Sequence, residues 1–186
     1  RTTRQFFWRK NEEQNKPIIG CVFPFRTRIR TSPISVEAFD EQTNNPYQMT
    51  LRLKLTNNSS DTLKDVSAKY FLPFVQGQKL SISPYYMESA TTSMDTIGEY
   101  LIVNINIAKL APGVFPDNGG LSVSINYSNY SSCEKSTHYS YPNSGYFVST
   151  NNIPVYVNGI KISGEAPIIE SANKELKLRF VGIQPE

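Results

Sequence analysis

The longest unbroken alternation in the chain runs from Gln48 to Asn57, with Met49, Leu51, Leu53 and Leu55 on one side and Thr50, Arg52, Lys54 and Thr56 on the other. A period of two belongs to a β-strand, whose successive side chains point to opposite faces, so one face of this segment is expected to be dry and the other wet. The pattern recurs. It predicts strands at Ile34–Phe39, at Leu63–Leu72 with Val66, Ala68 and Tyr70 in phase, and at Tyr100–Ile107. Leu121–Tyr127 follows, with Leu121, Val123, Ile125 and Tyr127 in phase, then Ile153–Val157 and Ile160–Ile162 around Asn158-Gly159, a hairpin signal because both turn residues need positive φ. Two weaker alternations, Val22–Thr31 with Arg26, Arg28 and Arg30 on one face and Lys174–Val181, predict outer strands. Residues 73–98, broken by Pro73, Gly77, Pro84 and Gly98, are expected to hold only a short strand at Leu80–Ile82. No segment carries the 3.6-residue period of an amphipathic helix. Short strands at regular spacing with turn signals between them predict an all-β fold, an antiparallel β-sandwich.

Composition narrows this picture without changing it. At 186 residues and 39% hydrophobic, one domain with one core is expected. The net charge of +3 hides an asymmetry: residues 1–32 hold eight basic and two acidic side chains, the remainder eleven and fourteen. Residues 1–32 are therefore a basic arm or edge strand, 33–167 the sandwich, and 168–186 a last strand or linker. No helix-turn-helix, zinc-finger or RNA-binding signature accompanies the arm, so no nucleic acid is expected as partner. No run of about twenty apolar residues exists, so no membrane span is expected. The first sixteen residues are too polar for a secretion signal, and the chain reads as mature or trimmed. Cys21 and Cys133 are a possible disulfide in an oxidising compartment. Asn57, Asn58, Asn126 and Asn129 head sequons, which belong at the surface.

Candidate chemistry is sparse. The one histidine, His138, lies in a polar loop five residues after Cys133 and is read as an exposed loop residue, since two such groups fall short of the three or four ligands of a zinc site. No acid stands in an apolar run where burial would raise its pKa, and there is no glycine-rich phosphate loop. An enzyme is not expected. Tyrosines in loops rich in Asn and Ser offer ring faces beside hydrogen-bonding neighbours, a combination suited to sugars or to protein surfaces.

The run LAPG, an alternating strand, YSNY, HYSY and VYVNGIKISGEAP between Leu110 and Pro167, with LRLKLTNNSSDTLKDVSAKYFL upstream, resembles the family 3 carbohydrate-binding modules. The likeness spans about Ile34 to Pro167 and is most specific at Val155–Pro167. It implies a jelly roll of about nine strands in an extracellular or cell-surface bacterial protein. It also implies a flat sheet face binding cellulose through aromatic and polar residues, a shallow groove on the opposite face, and a structural calcium ion. Carried over by position, the sugar-binding candidates are Tyr85, Tyr86, Tyr127 and Tyr130, with Lys69, Tyr70, Tyr139 and Tyr141 on the groove side. The family's strip tryptophan has no counterpart. Its calcium positions are filled by Phe74-Val75-Gln76 and Thr137-His138, so no metal or other cofactor is expected. The expected function is non-catalytic binding of a plant cell-wall polysaccharide such as cellulose. The alternative is a structural or adhesive module that meets protein partners through its arm and loops.

Overall fold

The computed structural model describes residues 32–127 and 134–169. The predicted strands at 22–31 and 174–181, Tyr130, Asn129 and both cysteines lie outside the described residues.

Eleven strands form among the described residues: β1 Ile34–Asp40, β2 Gln48–Asn57, β3 Leu63–Pro73, β4 Leu80–Tyr86, β5 Ala90–Ile97, β6 Tyr100–Leu110, β7 Gly113–Phe115, β8 Leu121–Tyr127, β9 Val148–Ser149, β10 Val155–Val157 and β11 Ile160–Ser163. They make two sheets, one ordered β4-β8-β2-β1-β9 with β7 also paired to β2, the other β11-β10-β3-β6-β5. Every ladder is antiparallel. This is the predicted β-sandwich.

Its core is the sum of the alternating stripes. Ile34, Val36 and Ala38 of β1, Met49, Leu51, Leu53 and Leu55 of β2 and Leu121, Val123 and Ile125 of β8 face Val66, Ala68, Tyr70 and Leu72 of β3 and Val103, Ile105 and Ile107 of β6, all buried. Burial of each Val, Leu, Ile or Met side chain among them contributes about 1.5–3 kcal/mol relative to exposure. Registers follow the stripes: Val36 lies opposite Leu55 and Ala38 opposite Leu53, while Leu51 lies opposite Val123.

Strand β5 was not predicted. Its sequence ATTSMDTI shows no apolar alternation, because as an edge strand it is largely exposed. Pairing with β6 from Ala90↔Ile107 to Ile97↔Tyr100 supplies what the side chains do not. Strand β4 likewise extends past its predicted end at Ile82, with its ladder to β8 shifting register between Pro84 and Tyr86. Asn57 is buried rather than a surface acceptor, its amide donating to the Leu110 and Asp61 carbonyls.

His138 is not an exposed loop residue. It is 5% exposed, its Nδ1 2.9 Å from the Tyr70 hydroxyl and its Nε2 2.7 Å from the Tyr127 hydroxyl. A single tautomer accounts for these contacts: Nδ1–H donates to Tyr70, whose own proton points to Met49 Sδ at 3.0 Å, and Tyr127 donates to Nε2. Burial, then the nearby Lys135 charge, lower the His138 pKa to about 4, against a smaller opposing pull from Asp40. Between about pH 4 and 6.5 the unfolded chain therefore holds a proton that the fold excludes. Stability rises with pH across that window and is lost as pH falls through it. The melting temperature is expected to drop from neutrality to pH 4, with His138 contributing about 3 kcal/mol of the loss. His138→Gln should flatten that part of the profile in circular-dichroism melts; parallel profiles for the two proteins would contradict it.

Candidate functional site

The alternation that dries the inner side of β2 sets Gln48, Thr50, Arg52 and Lys54 on the outer face of the six-stranded sheet. Registers carry a row across four strands there: Tyr86 of β4 opposite Ser122 of β8, Ser122 opposite Arg52 of β2, and Arg52 opposite Phe39 of β1. Three interstrand steps of about 4.8 Å make this row about 14 Å long.

Around its first half lies a shallow dish of about 360 Å³, lined by Tyr85, Tyr86, Arg52, Glu41, Gln48 and Ser122, among others. Tyr85 is 69% exposed and Tyr86 39%, so both rings reach solvent. Arg52 Nε lies 3.1 Å from Glu41 Oε2 and its terminal nitrogen 3.4 Å from Oε1, a two-pronged pair that holds both side chains in one plane. Gln48 Nε2 donates to the buried Ser124 hydroxyl at 2.7 Å, which fixes the amide beside them. At the other end of the row, Phe147 meets Phe39 edge-on with centroids 4.7 Å apart, and the Lys54 ammonium stands 4.3 Å above its ring. Phe147 lies so close to Gly120 that a Cβ there would fall 2.7 Å from its Cζ.

Of the tyrosines named from the sequence, Tyr85 and Tyr86 share this dish. Tyr70 and Tyr127 are not part of it: Tyr70 is 0% exposed, Tyr127 shows only an edge in the depression beside His138, and both hydroxyls bond to His138. Their in-phase positions on β3 and β8 are what put them inside. Tyr141 is half-buried and edge-on to His138 at 6.5 Å. Lys69 belongs to the outer face of the other sheet, its ammonium 4.6 Å over the Tyr156 ring. Tyr139 packs edge-on against Phe71 at 6.3 Å and donates to the Glu165 carbonyl at 3.3 Å. Partial burial, then Glu165 and Tyr100, raise its pKa. Sequence reasoning missed Arg52, Glu41, Gln48, Phe39 and Phe147 as site residues, although the period-two pattern had already set Arg52 on the wet side of β2.

The segments at the family's calcium positions do converge. Val75, Thr137 and His138 line a depression of about 340 Å³ with Pro73, Gln78 and Glu134. A calcium ion takes six to eight oxygens, with carboxylates among them. Here Glu134 is the one carboxylate in the lining, His138 has both ring nitrogens engaged, and no group of three His, Cys, Asp or Glu side chains suited to a metal occurs among the described residues. The residues present do not fit the ion.

Residues 35–164 match the family model described as a cellulose binding domain. The chain belongs to the family 3 carbohydrate-binding modules. Solved structures of such modules share its fold. One is the family 3b module from the cellulosomal cellobiohydrolase 9A of Clostridium thermocellum, at 21% identity and TM-score 0.59, covering 71% of this chain and 96% of that one. Another comes from a cellulosome scaffoldin of Bacteroides cellulosolvens, at 20% identity and TM-score 0.58, with 74% and 98% covered. A third is a family 3b module from the biomass sensoring system of Clostridium clariflavum, at 10% identity and TM-score 0.61, with 74% and 99% covered. No curated protein matches the chain.

Removing either partner of the Arg52–Glu41 pair should leave this module's stability within about 1 kcal/mol of the parent, because both side chains reach solvent. Gly120→Ala should cost more, about 1–3 kcal/mol, since Gly120 sits at φ +81° beneath Phe147. Urea unfolding of Arg52→Gln, Glu41→Gln and Gly120→Ala checks both; a large loss from Arg52→Gln would show that it holds the fold instead of decorating it.

Proposed function

We propose that the outer face of the six-stranded sheet binds an extended polysaccharide chain of the plant cell wall, cellulose or a related glycan, outside the cell and without catalysis. Residues 33–167 are the binding module in this reading, with 1–32 and 168–186 as flanking segments. The observation that carries it is the row of Tyr86, Ser122, Arg52 and Phe39 with Tyr85 beside it. Each interstrand step is about the length of one pyranose ring, so a β-linked chain lying across the strands meets one side chain per sugar. The tyrosine rings stack on the apolar C–H faces of sugars, while the Arg52–Glu41 pair and the Gln48 amide offer donors and acceptors already held in place for ring hydroxyls. Glycoside hydrolysis uses two carboxyl groups flanking the bond, and Glu41 is the only acid lining the dish. Its carboxylate is tied to Arg52, which supports a non-catalytic role.

The mid-row ion pair and the small number of exposed rings favour a second reading, an adhesive or structural module that contacts proteins. The two separate on one experiment. Retention on microcrystalline cellulose, and on a soluble-glycan array, is expected for the parent protein and should weaken at least about tenfold in Tyr85→Ala/Tyr86→Ala. Arg52→Gln, which leaves stability nearly unchanged, should weaken it as well. A parent protein that stays in the supernatant and gives a blank array ends the polysaccharide reading and leaves the adhesive one.

A further inference from the structure

The loop from Glu134 to Tyr141 borders the depression whose donors do not fit calcium. A different cation is built into it. The Lys135 ammonium is 2.6 Å from Asp40 Oδ2 and also donates to the Gln42 carbonyl, with the two side chains only 6% and 0% exposed. Asp40 Oδ1 accepts from the Gln42 amide at 2.9 Å and the Thr50 amide at 3.0 Å, and the Asp40 amide donates to the Ser144 carbonyl at 2.9 Å. One positive centre, one carboxylate and a ring of backbone groups thus join the 3-10 turn Lys135–Thr137 to β1, the β1–β2 turn and β2. A carboxylate oxygen and a main-chain carbonyl around a positive charge are the donors that a hard metal ion takes. Here the charge arrives on a side chain.

We propose that Lys135 is a tethered cation that does in this chain the structural work of a divalent ion, holding residues 134–141 to the six-stranded sheet and making the fold independent of free metal. A bound ion stabilises a fold only as far as its free concentration exceeds its dissociation constant, whereas a covalently attached ammonium cannot be diluted or chelated away. The clamp reaches the candidate binding face, because Glu41 stands between the two residues it grips, Asp40 and Gln42.

The test reads stability alone and does not depend on sugar binding. The parent protein is melted in excess chelator and in millimolar calcium; equal melting temperatures are expected, and a rise with calcium overturns the proposal. Lys135→Ala, which strands the buried Asp40 carboxylate, should melt on the order of 10 °C lower. It should regain part of that loss in propylammonium chloride, which restores the missing chain and charge, relative to equal sodium chloride. Lys135→Met fills the space with no charge, so it should fall too but gain nothing from the amine. A Lys135→Ala protein as stable as the parent, or an equal amine response in the two variants, overturns the proposal. Should Lys135→Ala fail to fold, the calcium titration of the parent and the Lys135→Met melt still decide it.

Discussion

Everything in this sandwich depends on the dry seam where β2 meets β3 across the two sheets. Met49, Leu51, Leu53 and Leu55 on one side and Val66, Ala68, Tyr70 and Leu72 on the other are all buried, and their spacing of two leaves no freedom in register. A slip of one residue in β2 would turn four apolar side chains to water and drive Arg52 and Lys54 inward. Core and candidate face are therefore not separate inventions. The force that hides the leucines is what presents the arginine.

The seam closes its open end with polar groups, and each is matched. Burying a carboxylate or an ammonium alone costs several kcal/mol, and a buried imidazole needs partners for both nitrogens. Asp40 meets Lys135 and two amides, and His138 meets two tyrosines. No buried side-chain nitrogen or oxygen among the described residues lacks a partner. The Lys135–Asp40 and Tyr70–His138 contacts span 95 and 68 positions, so the loop they hold is fixed by the tertiary fold and not by its own sequence.

That separation explains what could be read from the chain. The strands of the core were legible because burial on one side writes a period of two into the residues, as in β2, β3, β6 and β8. Edge strand β5 has no buried face to write one, and only its ladder to β6 defines it. Tyr85 and Tyr86 could be placed at a surface because they stand in the stretch broken by Pro73, Gly77, Pro84 and Gly98, where no continuous apolar alternation buries them. Tyr70 and Tyr127 continue one, and the resemblance that nominated them as ligand contacts gave way to the periodicity that buries them. Arg52 stood in plain view on the polar side of the best strand, but its partner Glu41 sits in a turn whose direction depends on the Asp40 contacts. His138 looked exposed because its neighbours in sequence are polar; in space it is enclosed by Tyr70 and Tyr127, whose hydroxyls engage both ring nitrogens.

Strand β4 borders the dish and, among the described residues, is the outermost strand on that side of its sheet. A free strand edge is an invitation for a second molecule to extend the sheet, and proline answers it by removing a hydrogen-bond donor and bending the ladder. Pro84 and the register shift beside it do this within one residue of Tyr85. Copies of the chain crowded side by side on a common surface can thus touch along this border without zipping into a continuous ribbon, and the two rings stay open to whatever lies beneath them.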